Sequence, residues 1–236
     1  MTGSLYLVPN LLGVVADPAD VLPARTLAVA RALTHWIVET EKPARAFLKT
    51  VGVSVPIASL HIRPLPDVRD ARMLEELLAP ARGGHDIGLL SDAGCPGVAD
   101  PGAPLVAAAH AAGIAVVPLV GPSSLLLALM ASGMNGQQFA FHGYLPVPAT
   151  ERATALRRLE DDSTQRKCTQ LFIETPYRNT AMLTTMVATL RPETMVCVAA
   201  DLTLPTQSII RQHLSAWRRV DLAQYDKRPA IFLLLA

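Results

Sequence analysis

Residues 101–150 form a run of fifty residues that contains no Asp, Glu, Lys or Arg. Such a run raises the question of a membrane helix, which needs about 20 consecutive apolar residues. Proline and glycine divide the run into shorter pieces, at Pro118, Gly121, Pro122, Gly133 and Gly136. We therefore interpret the run as part of a buried α/β core and expect no membrane span. A subunit interface would show the same poverty of charge.

The overall charge excludes a strongly basic nucleic-acid-binding domain. The 236 residues include 21 Lys and Arg against 20 Asp and Glu, so any RNA contact must come from a local patch. Three cysteines without a CxxC pair fit a reducing compartment. The start "MTGSLYLVPN" has no basic leader, and we expect a cytoplasmic protein without an export signal.

Strand and helix patterns alternate along the chain. Strands are predicted over residues 4–8, 35–39, 86–90 and 114–120, and helices over residues 23–33, 43–49, 69–80, 101–113 and 124–132. In the fourth of these helices, Asp100 is the predicted N-cap and Gly113 the stop. The alternation favours mostly parallel sheets that are covered on both faces.

The last third of the chain is less regular. Strands are predicted over residues 169–174, 194–200, 207–212 and 229–236, with helices over 179–190 and 214–220, and the short spacing favours some antiparallel pairs. The predicted fold class is α/β, with two α/β domains and mixed, mostly parallel sheets. The predicted domains are residues 1–118 and 119–236.

The stretch "SDAGCPGVADPG", Ser91 to Gly102, directly follows a predicted buried strand. Ligands of α/β sheets bind outside the carboxyl ends of strands, where glycine lets the backbone approach closely and Ser91 and Asp92 offer polar groups. Alternatively, glycine and proline shape a tight crossover. No GxGxxG follows a strand and no GxxxxGK[ST] occurs, which argues against a standard dinucleotide site or P-loop.

Other chemistries have weaker support. "GPSSL" lacks the second glycine of a nucleophile elbow, so Ser123 and Ser124 are predicted to cap the following helix. No sequence pattern indicates a histidine that could act as the base for a Cys95 nucleophile. The six histidines lack HxxxH or HExxH spacing, and we predict no metal site.

Several unusual blocks occur in an order that resembles a known family. They are "LYLVPN", "IVETEKPARAFL", "LLSDAGCPGVADPG", "GIAVVPLVGPSSLLLALMASG", "FAFHGYLP" and "FIETPYRN". Together they cover nearly the whole chain and resemble the tetrapyrrole methylase superfamily, in the branch of the ribosomal RNA small subunit methyltransferase I.

This resemblance implies an S-adenosylmethionine-dependent methyltransferase, usually a homodimer, with the cofactor in a cleft between two α/β domains. It implies cofactor contacts at Pro9, Asp92, Ala93, Gly94, Val98, Ser123, Ser124, Tyr144, Leu145 and Ala230. Backbone amides and short hydroxyls suit the amino acid and ribose parts of the cofactor, and apolar side chains suit the adenine.

The chain departs from the family pattern after the second strand. Glu39, Thr40, Glu41 and Lys42 stand where the branch has Glu-Asp-Thr-Arg, with Arg45 three residues further on. A lysine in place of the branch's arginine keeps the positive charge but lacks the guanidinium group, which can bind phosphate through two hydrogen bonds. Asp201 replaces Glu, and Thr203 and Leu204 replace a Thr-Lys pair. Proteins of this branch also continue beyond the final strand, whereas this sequence stops at Ala236, so we expect no C-terminal extension that binds RNA.

Methyl transfer from a sulfonium needs alignment more than covalent help, although a hydroxyl acceptor also needs a base. The candidates are Glu39, Asp92, Lys42 and Glu174; Glu39 with Lys42 ranks first, and Arg45 is a candidate for substrate positioning. For Glu174 and Arg178 the alternative is an ion pair that shapes a loop. Tyr177 either stacks a base or is partly buried between loops.

Three functions stay open from the sequence. The first is methylation of RNA, at a base or at a ribose hydroxyl of ribosomal RNA, and the second is methylation of a tetrapyrrole-type small molecule. The third is a non-catalytic protein that binds S-adenosylmethionine. The first would use a local basic face, which a solvated surface would equally explain, at Lys42, Arg45, Lys49, Arg63, Arg69 and Arg72.

Overall fold

A computed structural model describes residues 2–66 and 71–236, with the backbone alone at Ala71. The chain divides into two compact units, Met1–Ser123 and Ser124–Ala236. In the described part of the chain, no helix is long and apolar enough to cross a membrane.

The first unit contains a five-stranded sheet in which every neighbouring pair is parallel. Its order is β3-β2-β4-β1-β5, and the strands are β1 (Leu5–Val8), β2 (His35–Val38), β3 (His61–Pro64), β4 (Ile87–Leu90) and β5 (Val116–Pro118). Its helices are α1 (Ala24–Ala32), α2 (Glu41–Val51), α3 (Ala71–Leu77), α4 (Ala79–Arg82) and α5 (Ala103–Ala111).

Both faces of this sheet are covered, as a parallel sheet requires. Along β2, Trp36 and Val38 pack in one cluster with residues of α1 and α2, including Phe47. Ile37, between them, packs in a second cluster with residues of α3 and α5, including Leu105. The alternation of side chains along each strand thus builds two cores from one sheet.

The second unit contains a mixed sheet in the order β6-β7-β10-β8-β9. The strands are β6 (Phe139–Tyr144), β7 (Thr169–Ile173), β8 (Met195–Ala200), β9 (Ser208–His213) and β10 (Ala230–Leu235), and the helices are α6 (Ser124–Ser132), α7 (Ala149–Arg166), α8 (Asn179–Thr189) and α9 (Leu214–Trp217). β6 and β7 are parallel, and the other pairs are antiparallel. Phe172 and Phe232 stack in its core at 5.6 Å between ring centroids.

The predicted fold class of two α/β domains is confirmed, as are antiparallel pairs in the last third. The N-cap prediction at Asp100 is wrong, because α5 begins at Ala103, after Gly102 at φ 138°. We predicted no strand at β3 or β6 and no helix at α7. Residues 67–70 lie outside the described residues, and they include the first two residues of the helix predicted over 69–80; α3 covers Ala71–Leu77.

The two units meet in sequence later than the boundary that we predicted after residue 118. Leu119 N donates a hydrogen bond to Leu7 O at 3.0 Å, and Thr26 Oγ1 donates to Val120 O at 2.7 Å. These bonds join the segment after β5 to the first unit, which therefore extends to Ser123.

Candidate functional site

The carboxyl ends of β1 and β4 lie side by side at a switch point in the first sheet. From β1 the chain crosses toward β2, whereas from β4 it crosses to β5 on the opposite side of β1. Connections that leave neighbouring strands in opposite directions open a crevice at the carboxyl ends, which is where ligands of α/β sheets bind. The loop Ser91–Gly102 starts there, and Pro9 follows β1 at the same edge.

Asn10 ties the two strand ends together. Its side-chain Nδ2 donates to Ser91 O at 2.9 Å and to Asp92 O at 3.0 Å, and its backbone N donates to Gly94 O at 2.8 Å. Gly94 has φ 69°, which glycine adopts without strain. Pro9 was predicted from the sequence and Asn10 was not, although a Pro-Asn pair directly after a strand is typical of a specified turn.

Glu39 follows β2 and reaches the same loop. Its carboxylate Oε2 accepts a hydrogen bond from Asp92 N at 3.0 Å, and its own backbone N donates to Leu90 O at 3.1 Å. The carboxylate therefore fixes the first turn of the loop. Asp92 is exposed, and its carboxylate accepts no hydrogen bond from the described residues.

A third carboxyl group, that of Asp100, lies near Glu39 and Asp92. The pKa of Asp100 is raised to about 6, mainly by burial, then by the charge of Glu39 and more weakly by that of Asp92, while a hydrogen bond with Ser91 opposes the rise. The end of the loop thus returns to its beginning. The arrangement concentrates negative charge at the carboxyl ends of β2 and β4.

Cys95 is held in this loop as a neutral thiol. Its Sγ donates to Pro122 O at 3.4 Å, and burial together with the nearby charge of Asp100 raises the pKa of the thiol. A raised pKa lowers the fraction of thiolate, which is the nucleophilic form. The geometry therefore agrees with our rejection of Cys95 as a nucleophile.

Helix α2 carries the basic residues that follow Glu39. Lys42 and Lys49 are exposed, and neither forms an ion pair with a described residue. Arg45 Nη2 pairs with Glu41 Oε2 at 3.0 Å on the same helix. Arg63 donates to Glu76 O at 3.3 Å, and Arg72 lies 3.6 Å from Glu76 Oε1. Arg69 lies outside the described residues.

A groove of about 240 Å³ runs between α2 and the segment after β1. Its walls are mostly apolar, and Asp92 and Ala93 are among the residues that line it. The lining includes Leu12, Val14, Pro43, Ala46 and Phe47.

The remaining predicted cofactor residues lie in two places. Val98 is 47% exposed in the loop of the first unit, and Ser123 is the last residue of that unit. In the second unit, Ser124 begins α6, while the others lie at one edge of the mixed sheet. Tyr144 ends β6, Leu145 follows it, and Ala230 begins β10.

Three histidines that are isolated in sequence come together at the opposite, amino-terminal edge of the first sheet. The ring of His35 stacks on His61 at 4.6 Å and on His85 at 4.8 Å between centroids. Burial lowers the pKa of His35, and the neighbouring His61 and His85 lower it further. Within residues 2–66 and 71–236, no group of three His, Cys, Asp or Glu side chains has an arrangement that could hold a metal ion.

Comparison of the sequence with known proteins gives matches across most of the chain. Residues 19–217 match the family described as Tetrapyrrole (Corrin/Porphyrin) Methylases. The ribosomal RNA small subunit methyltransferase I of Escherichia coli O157:H7 is 33% identical over 207 residues, which span 88% of this chain and 68% of that protein. The protein of the same name from Xylella fastidiosa is 29% identical over 233 residues, which span 99% of this chain and 81% of that protein.

Solved structures with the same fold include two methyltransferases. The crystal structure of the methyltransferase CobJ has a TM-score of 0.63 at 19% identity and covers 99% of this chain and 94% of that chain. The cobalt precorrin-4 methyltransferase CbiF has a TM-score of 0.62 at 16% identity and covers 98% of this chain and 94% of that chain. At these identities the likeness concerns the fold alone.

Proposed function

We propose that this chain, which belongs to the tetrapyrrole methylase family, methylates ribosomal RNA at a ribose hydroxyl. The family shows that it is a methyltransferase that uses S-adenosylmethionine as methyl donor. The choice of RNA as substrate rests on the 33% identity, across 88% of the chain, to a protein named as a ribosomal RNA methyltransferase.

The first unit offers groups that fit S-adenosylmethionine. The cofactor carries a positive sulfonium and, on its amino acid part, an ammonium group, which favour a site rich in carboxylates. Glu39, Asp92 and Asp100 supply such a site at the switch point of the sheet. We assign Asp92, Ala93 and Gly94 as the central cofactor-binding residues. When bound, the cofactor supplies an activated methyl group.

The other predicted cofactor residues stay proposals that rest on the family resemblance. In the first unit they are Pro9, Val98 and Ser123, and in the second Ser124, Tyr144, Leu145 and Ala230. Val98 is 47% exposed, so its apolar side chain is accessible for contact with an adenine ring.

The hydrogen bonds indicate different roles for the candidate catalytic residues. Because the Glu39 carboxylate accepts from Asp92 N, we assign Glu39 to positioning of the loop. Asp92 keeps a carboxylate without a donor among the described residues, so it is available to the cofactor or to the acceptor proton. Lys42, exposed and without an ion pair to a described residue, is the proposed RNA phosphate contact, and Arg45 supports it.

We also propose a cytoplasmic homodimer, on the strength of the family resemblance. The absence of a spanning helix in the described residues is compatible with this location. Exposed apolar side chains, Val120 at 73% and Met130 at 78%, suit a subunit contact. Sedimentation of the pure protein over a range of concentrations tests the dimer.

The substrate is tested by incubating the protein with methyl-labelled S-adenosylmethionine and three kinds of acceptor. These are small ribosomal subunits, total RNA and a panel of tetrapyrroles. Label in ribosomal RNA supports the proposal, and mapping the labelled nucleoside identifies a ribose or a base methyl. Label in a tetrapyrrole would replace RNA by a small molecule as substrate. Binding of S-adenosylmethionine without transfer to any acceptor would indicate a non-catalytic binding protein.

A further inference from the structure

One edge of the mixed sheet in the second unit, where the proposed cofactor residues Tyr144, Leu145 and Ala230 lie, also gathers loops that have no assigned role in catalysis. β6, β7 and β8 end at this edge, and β9 and β10 begin there. The pairs Tyr144–Ile173, Ile231–Ile173 and Ala230–Ala200 fix this register. Two segments stand at the edge, residues 174–178 after β7 and residues 225–229 before β10.

The segment after β7 is held from within by a buried carboxylate. The side chain of Glu174 is 1% exposed and pairs through Oε2 with Arg178 Nη2 at 2.6 Å. Its other oxygen, Oε1, accepts from Thr175 N at 2.7 Å. A buried carboxylate is tolerated where such charged and hydrogen-bonding partners surround it. The ion pair that we gave as an alternative for Glu174 and Arg178 is therefore present, and it fixes the turn Pro176–Arg178.

This fixed turn carries Tyr177, whose side chain is exposed to solvent. The residue is 76% exposed, and its ring stacks on no other ring in the described part of the chain. The partial burial that we considered for Tyr177 from the sequence is therefore wrong. Large exposed aromatic side chains on rigid supports are typical of contacts with other molecules.

The backbone of an exposed lysine is held beside the turn. Lys227 N donates to Pro176 O at 3.1 Å, and the exposed Lys227 has φ 58°, a conformation that costs free energy in residues other than glycine. The neighbouring Arg228 fixes this segment through Asp201 Oδ2 at 2.8 Å and Thr206 O at 2.6 Å. The surrounding contacts thus keep Lys227 in an unfavourable backbone conformation next to Tyr177.

We propose that Tyr177 is a stacking platform for an unpaired base of the RNA substrate and that Lys227 contacts a phosphate next to that base. This inference rests on the proposed function and deepens it by naming a substrate contact. Every base has a π-face, so a platform of this kind accepts different bases, and the cation supplies attraction to the backbone. Tyr177 is then a binding residue for single-stranded RNA rather than a residue of methyl transfer.

The first test measures binding of a fluorescein-labelled, single-stranded RNA decamer of mixed sequence, without cofactor. Tyr177→Ala removes the stacking of one base and should therefore weaken RNA binding by about 5- to 150-fold. Tyr177→Phe keeps the ring and should stay within about twofold of the unmodified protein. Lys227→Asn, which tolerates the same backbone conformation, should lower the slope of log Kd against log salt by about one.

The matched control is Phe139→Ala. Phe139 is a 45% exposed aromatic residue at the start of β6, at the opposite edge of the same sheet. Its removal should leave RNA affinity unchanged. Thermal unfolding of each variant identifies any general loss of structure, and rescue by the phenylalanine variant separates stacking from a structural role of position 177.

The second test measures transfer of labelled methyl groups to small ribosomal subunits. Tyr177→Ala should raise KM for the subunits and leave kcat and the S-adenosylmethionine affinity unchanged. If the unmodified protein methylates the subunits and Tyr177→Ala has the same KM, the platform is disproved and the proposed function stands. If no transfer occurs but RNA binding depends on Tyr177, the platform stands and ribosomal RNA methylation is disproved.

Three further results would overturn the platform. One is a failure of the unmodified protein to bind the decamer. Another is an equal loss in Tyr177→Ala and Tyr177→Phe. The third is a change in sedimentation of Tyr177→Ala without a change in RNA affinity, which would assign the exposed ring to contact between protein copies.

Discussion

The Glu39 carboxylate accepts a hydrogen bond from the backbone N–H of Asp92 at 3.0 Å. The two residues follow neighbouring strands, since β2 and β4 pair in register up to Val38 and Leu90. The bond therefore joins the ends of two strands and fixes the residue that we assign to the cofactor.

Loss of this bond should weaken the cofactor site. A hydrogen bond to a charged group contributes about 1.5–3 kcal/mol, so Glu39→Ala should weaken S-adenosylmethionine binding by at least about tenfold. Glu39→Gln retains a carbonyl oxygen that can accept the Asp92 N–H, and it should lose no more than about threefold. Calorimetric titration measures both values. A larger loss in the glutamine variant than in the alanine variant would refute the positioning role.

Removal of the Asn10 amide should loosen the same loop. Asn10 is 5% exposed, and its side chain donates to Ser91 O and Asp92 O and accepts from Leu11 N. Asn10→Ala leaves these groups without their partner and should lower the free energy of unfolding by about 2–3 kcal/mol. Asn10→Asp has the same shape but sets a carboxylate against two carbonyl oxygens, so it should be at least as unstable. Urea unfolding checks this, and a fully stable aspartate variant would contradict it.

Asp100 should make stability depend on pH. Its pKa in the folded protein is about 6, above the ordinary value of 3.8, so the folded state holds the proton more tightly. This contribution is fully present below pH 3.8 and is lost as the pH rises through 6. Because water screens this partly exposed group, we expect Asp100→Asn to stabilise the protein by only about 1 kcal/mol above pH 6, with no gain near pH 4.

Urea unfolding at several pH values measures this difference between Asp100→Asn and the unmodified protein. The control is Asp161→Asn, which changes an exposed aspartate of α7. A stabilisation by Asp100→Asn that is the same at pH 4 and pH 7 would disprove the electrostatic explanation.

The histidine stack should have the opposite pH dependence. The pKa of His35 lies below its ordinary value of 6.5, because burial and the neighbouring His61 and His85 disfavour its charged form. Its contribution to stability is present above pH 6.5 and is lost as the pH falls toward the lower folded pKa. His35→Phe keeps a ring in the stack and should make the loss of stability between pH 6.5 and 5 less steep. His110→Gln, at an exposed position in α5, should leave that slope unchanged.

The sequence predicted the elements that have strong local signals. The α/β alternation and the position of the loop Ser91–Gly102 followed from apolar strands and from glycine and proline. β3 escaped prediction because it has four residues, "HIRP", and little apolar content. α7 escaped because its sequence is mostly polar, and its buried positions include Arg152 and Glu160.

Only part of the site could be predicted from the sequence, because its contacts depend on residues far apart in the chain. Asp92 and Glu39 were selected separately, but their hydrogen bond depends on the pairing of β2 with β4 across 53 residues of sequence. Asn10 reaches Ser91 and Asp92 through the pairing of β1 with β4, and Asp100 comes near Glu39 through the return of the loop after β4, so these contacts depend on long-range structure. The exposure of Tyr177 depends on the burial of Glu174, which the sequence left as one of two alternatives.

The central claim is that the loop after β4 binds the methyl donor while α2 contacts the RNA. Calorimetric titration of S-adenosylmethionine into the unmodified protein, Asp92→Ala and Lys42→Ala tests it most directly, with transfer to small ribosomal subunits measured on the same samples. We predict that Asp92→Ala weakens binding by at least about tenfold, whereas Lys42→Ala binds normally and transfers more slowly. Equal loss of binding in both variants, or no binding by the unmodified protein, would contradict the claim.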